Sequence, residues 1–156
     1  MGGPTRWGSR PAVFSAISSP RYTGRLLDFT IRPALADDEE AIRALVAIYP
    51  DKLLQDEHPA TEKFFVAEDS TGALIGCCAL DVYSRRLAEV RSLAVTSARL
   101  QSGVGRALVE ACKQRAREQG VKQLLAVSSA VAFFEKAGFS TFRQERIALF
   151  YDVAGE

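Results

Sequence analysis

Histidine, cysteine and long apolar runs are what this chain of 156 residues has least of, and each scarcity removes a class of function. The single histidine, His58, stands beside Pro59 in a polar stretch, and no Cys-x-x-Cys pair exists. A zinc site therefore has almost no ligands to draw on, no metal is expected, and His58 reads as a solvated loop residue. Three cysteines are too few, and odd in number, for a disulfide framework. Cys77 and Cys78 are neighbours on a strand-like run and so point to opposite faces, while Cys112 falls on an apolar helical stripe. Buried free thiols of this kind fit a reducing, cytoplasmic setting. No run nears the roughly 18 apolar residues that cross a bilayer, which points to a soluble chain with no membrane partner. A formal net charge of +1 supplies no basic field for nucleic acid.

Acidic residues are missing from one region altogether. The first 27 residues carry Arg6, Arg10, Arg21 and Arg25, three prolines and several hydroxyl residues, with no acid before Asp28. That composition suits an organelle import segment, and equally a disordered extension or an upstream start. Residues 28–156 remain, a length for one domain, and 47% hydrophobic content over the whole chain is enough for a core.

The most informative stretch runs from Arg91 to Arg106. An apolar strand over Ala88–Val95 gives way to a polar turn, and a helix opens on Gly103-Val104-Gly105. Without Cβ atoms the backbone there is able to turn tightly and bring N–H groups close to an anionic oxygen, with the helix dipole behind them. Val104, Ala107, Leu108, Ala111, Cys112 and Ala116 recur at helical spacing, and Gly120 ends the helix. Two glycines at a helix start also occur for packing alone. A dinucleotide fold wants a third glycine where Leu108 stands, and a P-loop wants Gly-Lys-Ser/Thr, so neither reading holds.

Elsewhere, Asp28–Arg32 reads as a strand closed by Pro33, and Asp37 with Glu40 as a capping box for a helix presenting Ala41, Ile42, Leu45, Val46 and Tyr49. Asp51–Glu62 reads as a polar loop. Strands follow over Lys63–Glu68 and Ala73–Val82, joined by Asp69-Ser70-Thr71-Gly72. After the glycine-led helix come a strand over Gln123–Val127, a short helix capped by Ser128 or Ser129 and ended by Gly138, and strands over Phe139–Phe142 and Ile147–Tyr151. The fold class is mixed α/β: about seven strands in a mostly antiparallel sheet flanked by helices, with one parallel pair, strands four and five, either side of the long helix.

The runs Leu93-Ala94-Val95 to Gly103-Val104-Gly105-Arg106 and Ala132-Phe133-Phe134-Glu135-Lys136-Ala137-Gly138-Phe139 resemble the GNAT (GCN5-related N-acetyltransferase) family over about residues 28–151. Within it, Phe64-Phe65-Val66-Ala67-Glu68, Gly76-Cys77-Cys78-Ala79-Leu80 and Glu89-Val90-Arg91-Ser92 are most similar to the short, single-domain N-acetylglutamate synthases and amino-acid N-acetyltransferases. The resemblance implies acetyl-CoA as co-substrate, its pyrophosphate held by backbone amides of Leu100, Gln101, Ser102, Gly103, Val104, Gly105 and Arg106, with Leu93, Ala94, Val95, Phe133 and Phe134 along the rest of the cofactor. Leu100 stands where the family usually has Gln or Arg. It also implies that the Val95 N–H, at a bulge splaying strands four and five, points at the thioester oxygen. Where many members place a tyrosine acid, this chain has Phe134, so no side chain at that position protonates the thiolate.

Acetyl transfer needs a deprotonated amine, and Glu89 on strand four is placed to take its proton. Arg91 shares a face with Glu89 by the two-residue period and suits a carboxylate-bearing acceptor, the alternative being a plain Glu89–Arg91 ion pair. Lys52, Cys78 and Ser128 complete the expected acceptor site. The acceptor is a small-molecule amine, with L-glutamate or a related amino acid leading; a protein amine and a non-catalytic acyl-CoA sensor are the other readings, and a homodimer stays open.

Overall fold

The computed structural model describes residues 28–141. The leader of residues 1–27 and the expected strand over Ile147–Tyr151 lie outside that range. Five strands form one sheet in the order β1-β2-β3-β4-β5: β1 Phe29–Pro33, β2 Phe64–Asp69, β3 Leu74–Val82, β4 Leu87–Val95 and β5 Gln123–Leu125. The first four are antiparallel neighbours, and β4 and β5 run parallel. Three helices accompany them: α1 Glu39–Ala47, α2 Val104–Glu118 and α3 Val131–Lys136. The architecture is the mixed one expected, with five strands rather than about seven among the described residues. The strand expected over Phe139–Phe142 runs past the described residues; Phe139 to Thr141 carry no strand assignment, and Phe139 packs edge-on against Phe134.

Alternation along β3 divides the core in two. Cys78 and Leu80 face α2 with Phe65, Val90, Leu108 and Cys112, whereas Cys77 and Ala79 face α1 with Ile42, Leu45, Val46 and Phe64. All three thiols are free and buried, with the Sγ atoms of Cys78 and Cys112 3.7 Å apart. Burial without a countercharge pushes the Cys77 thiol up to about 12, and the Cys78 thiol rises too, chiefly through its hydrogen bond to Cys112. They are inert packing groups.

Helix α2 lies close on the sheet because Gly76 lets it. A Cβ built there would come within 3.0 Å of Val104 Cγ1, 3.1 Å of Leu108 Cδ1 and 3.1 Å of the Ala94 carbonyl. The helix stripe is broader than the sequence suggests, since Val109 is also fully buried. At the start of α1 the expected cap is displaced by one residue. Asp38, not Asp37, precedes the first turn of α1, and its carboxylate caps no α1 N–H but reaches back to accept the Leu35 N–H at 2.8 Å and to pair with Arg32 at 2.7 Å. A short 3-10 turn over Ala36–Asp38 precedes the helix, which is what moves the cap.

Candidate active site

Strand β4 carries a bulge that decides what its far end presents. Ala79 pairs with Arg91 and Cys77 with Ala94, so Ser92 and Leu93 together oppose the single residue Cys78. Ser92 takes φ +52 to make this possible, a left-handed conformation that costs a non-glycine residue about 1–3 kcal/mol. Before the bulge, odd-numbered residues turn their peptide groups towards β3, as the bond from Tyr83 N–H to the Leu87 carbonyl at 3.1 Å records. Beyond it, even-numbered residues do, as the bond from Thr96 N–H to the Ile75 carbonyl at 2.9 Å records. Ladder groups alternate, so the Val95 N–H and C=O face away from β3. On that side β5 accompanies β4 only over Leu87–Glu89, and the strands then part. The bulge, three residues before Val95 rather than at it, therefore aims the Val95 N–H into the gap.

The glycine turn closes the same gap. Gln101 at φ +61 and Gly103 at φ +91 carry the chain through a left-handed turn, steadied by Ser102 Oγ donating to the Arg99 carbonyl at 2.5 Å. Gly105 differs from Gly103. It is helical, and a Cβ added to it would meet the Phe133 ring at 3.5 Å and Val95 Cγ2 at 3.7 Å, ordinary contacts. Among the described residues neither backbone conformation nor packing demands glycine at 105. The end of β4, the first turn of α2 and the Phe133 ring thus converge on one point, with α2 supplying its first-turn N–H groups.

Asp81 of β3 with Glu89 and Arg91 of β4, together with Lys63 and Tyr83, build a different surface. Glu89 stands directly across from Asp81, two carboxylates at a cross-strand position that is unfavourable without relief. Relief is local: Lys63 Nζ reaches Asp81 at 2.7 Å, Arg91 reaches the other Asp81 oxygen at 3.3 Å, and the Tyr83 hydroxyl donates to Glu89. Lys63, then Arg91, holds the Asp81 carboxyl below its ordinary range. Desolvation first, and the Glu89 carboxylate second, push the Tyr83 phenol up to about 12. Glu89 and Arg91 do share a face, but the guanidinium contacts Asp81 and not Glu89, through one N–H donor.

Comparison with known proteins fits this geometry. Residues 60–141 match the sequence model of the acetyltransferase (GNAT) domain, a span holding β2 to α3 and with them the whole site. An amino-acid acetyltransferase of Mycobacterium tuberculosis is 33% identical over 117 residues, 70% of this chain and 67% of that protein. The chain belongs to the GNAT acetyltransferase family. An uncharacterised N-acetyltransferase of Chlorobaculum tepidum is 40% identical over 82 residues, 53% of this chain, and the match spans about half of that relative's length, 52%. Among solved structures, Rv2747 from M. tuberculosis in complex with CoA and NLQ superposes with a TM-score of 0.69 at 31% identity, covering 76% of each chain. N-acetylglutamate synthase from Neisseria gonorrhoeae, complexed with coenzyme A and L-arginine, gives 0.65 at 28% identity over 75% of this chain and 28% of that one.

Against this GNAT frame the remaining sequence expectations fall into place or away. Leu100, Gln101, Ser102 and Arg106 are exposed around the glycine turn, Val104 is fully buried beneath it, and Ala94 contributes backbone only, its methyl lying under α1. Leu93 packs on the α2 side. Phe134 is a correction: it is core, edge-on to Phe133 at 5.1 Å, because only one of two adjacent residues on a short helix faces the gap. Cys78 is a second correction, fully buried against Cys112 and reachable by no acceptor. Ser128 accepts the Ala130 N–H at 3.0 Å, which makes it part of the turn into α3. Lys52 is exposed in the turn after α1 and makes no contact with Glu89 or Arg91. His58, expected to be solvated, is half-buried beside α1 with its Nδ1 enclosed and unpartnered among the described residues. Sequence reasoning missed Asp81, Lys63 and Tyr83 as site groups. The hairpin register would have exposed Asp81, since pairing Val82 with Ala88 puts it opposite Glu89.

Proposed function

We propose that this chain transfers the acetyl group of acetyl-CoA to the α-amino group of L-glutamate or a related amino acid, by direct attack of the amine on the thioester. The observation that carries the reading is the convergence of the Val95 N–H, the first turn of α2 and Gly105 on the gap between β4 and β5. First-turn N–H groups suit a diphosphate, and the absent Cβ of Gly105 allows its close approach. In this reading one of the β4 N–H groups turned into the gap, Val95 by the sequence expectation, meets the thioester oxygen as it gains negative charge in the tetrahedral transition state, the place where a fixed donor helps most.

Glu89 supplies the base. An ammonium nitrogen must lose its proton before it attacks, and a carboxylate already hydrogen-bonded by Tyr83 is held in place to receive it; six strand residues, roughly 17–20 Å, separate Glu89 from Val95, so in this reading the proton travels through a chain of waters. The acceptor carboxylate falls to Arg91. Its single contact with Asp81 uses one of five guanidinium N–H donors, which leaves others for a second anion. The amino-acid class of the acceptor draws further support from the printed names of the M. tuberculosis and N. gonorrhoeae proteins.

The test is an acceptor screen with thiol release as readout, together with calorimetric titration of acetyl-CoA. Turnover with glutamate or another amino acid is expected. Turnover confined to peptides or polyamines rejects the amino-acid acceptor and keeps the acetyl transfer. Binding of acetyl-CoA without turnover of any amine makes the protein a sensor, and no binding at millimolar concentration removes the whole assignment.

A further inference from the structure

The bulge in β4 creates one carbonyl that the ladder does not serve. On β3 the peptide groups of Ala79 and Cys77 face β4 and pair with Arg91 and Ala94, while those of Cys78 between them face β2. The Ser92 carbonyl, inside the bulge, is left with no N–H of β3 to accept, and β5 runs beside β4 no further than Glu89. Its partner is a side chain. Cys77 Sγ stands 3.6 Å from the Ser92 carbonyl oxygen, within the reach of an S–H donor. Cys77 projects on the α1 side of the sheet and is fully buried in the cluster of Phe64, Val66 and Ala94. The thiol on the other face differs. Cys78 Sγ lies 3.8 Å from the Arg91 carbonyl, but Arg91 already pairs with Ala79 in the ladder, and the Cys78 thiol is shared with Cys112.

A trans peptide carries its C=O and its N–H on opposite sides. A Ser92 carbonyl drawn towards Cys77 on β3 therefore turns the N–H of the same plane, that of Leu93, away from β3. On that side β4 and β5 have parted, and the Phe133 ring comes up to Gly105. Ser92 at φ +52 already departs from strand geometry, so the ladder alone does not set the tilt of this plane. We propose that Cys77 is a positioning residue for acetyl transfer: its S–H holds the Ser92–Leu93 peptide so that the Leu93 N–H points into the gap at the thioester oxygen. This rests on the acetyl-transfer reading above, and it selects Leu93 among the β4 N–H groups turned into the gap. A thiol buried this deeply has no nucleophilic use, and a single S–H bond is too weak to build a bulge. The register of β3 and β4 builds the bulge; the thiol sets one plane within it. Its share in the rate is accordingly modest.

Cys77→Ala removes the donor and Cys77→Ser keeps one. With L-glutamate as acceptor, and the folded fraction set by circular dichroism, kcat is expected to fall about two- to fivefold in Cys77→Ala, the worth of one weak hydrogen bond. The dissociation constant of CoA, measured by calorimetry, changes less than about twofold. Cys77→Ser recovers at least half of the lost kcat although it is the less stable variant, because a hydroxyl costs more than a methyl in an apolar setting. A second readout needs no acceptor. The carbonyl stretch of bound acetyl-CoA, recorded by infrared difference spectroscopy, moves to lower frequency in the parent chain, loses part of that shift in Cys77→Ala and regains it in Cys77→Ser. In the same instrument the S–H band that Cys77→Ala removes lies at the frequency of a hydrogen-bonded thiol. Activities and carbonyl shifts that rank as the stabilities do, with serine lowest, overturn the role, and so does a free-thiol S–H band. Should Cys77→Ala fold poorly, Cys77→Val, which lacks the donor and fills the volume, takes its place in each measurement. Absence of turnover with glutamate rejects that acceptor alone, since the infrared bands still decide the part of Cys77. A parent chain that binds no acetyl-CoA is the separate result that removes the acetyl-transfer reading and this role with it.

Discussion

The two halves of the site are built from different materials. Around Val95, Gln101, Gly103 and Gly105 the working groups belong to the backbone: bulge geometry, positive φ angles and helix N–H groups, with no ion pair from Arg106 among the described residues. Around Glu89 they are side chains, four charges and a phenol that already satisfy one another. A backbone site presents fixed dipoles whatever the surrounding side chains, and suits a ligand part common to many reactions. A side-chain site has to give up existing bonds to take a ligand, and so selects which acceptor is worth the exchange. On the proposed reading cofactor and acceptor recognition are separable by mutation, and each of the following experiments attacks that separation.

Glu89→Gln breaks it most sharply if the halves are in truth one unit. The amide keeps the size and accepts from Tyr83 but takes no proton, so kcat is expected to fall about 10²- to 10⁴-fold. The dissociation constant of CoA, measured by calorimetry, is expected to stay within about twofold. A parallel loss of CoA affinity would show that the charged face also shapes the cofactor site.

Gly76→Ala tests what holds the two halves at their present spacing. The new methyl would press on Val104, Leu108 and the Ala94 carbonyl at once, and backbone cannot yield as a flexible side-chain end does. Loss of about 1–3 kcal/mol in denaturant unfolding is expected, with a raised KM for acetyl-CoA because the first turn of α2 moves off the sheet. Activity per folded molecule with saturating acetyl-CoA should fall less than KM rises.

Gly105→Ala carries the opposite sign in stability. Alanine is worth about 0.5–1 kcal/mol over glycine inside a helix, and the methyl meets only ordinary contacts. A Tm equal to or above that of the parent chain is expected together with an acetyl-CoA affinity weakened about tenfold, equivalent to about 1.4 kcal/mol. Stability and affinity moving the same way would mean that glycine serves packing there after all.

How far each half could be read from sequence follows from this difference in material. The glycine turn, the parallel pair and the opposite facing of Cys77 and Cys78 were legible because period-2 and period-3.6 patterns and glycines at a helix start are local signals. Local signals placed Glu89 and Arg91 on one face correctly. They could not show that Arg91 would be taken by Asp81, which depends on the register of a hairpin, nor that the bulge falls at Ser92 and so turns Val95. Cys78 and Phe134 were misread for the same reason: each has a neighbour of the same type, and only packing decides which member of Cys77-Cys78 or Phe133-Phe134 faces where. Non-local contacts are what a pattern along the chain leaves out.

The smallest expected effect concerns Asp81, the carboxylate that stands between the two cations and Glu89. Its folded-state affinity for a proton is lowered, chiefly by the hydrogen bond from Lys63, against an ordinary value of 3.8. A group depressed on folding stabilises the protein above its unfolded value, and that contribution disappears as pH falls through the folded one. The pairs are partly exposed, with Lys63 41% and Arg91 21% accessible, so the whole contribution is held to less than about 1 kcal/mol. Asp81→Asn should therefore leave unfolding free energy at pH 7 slightly lower and flatten its decline below about pH 4. The same substitution releases Arg91 and removes the charge opposite Glu89. If Arg91 receives the acceptor's carboxylate, KM for the amino acid falls while KM for acetyl-CoA holds still; a shift in the latter alone would assign this cluster to the cofactor and erase the division between backbone and side-chain halves.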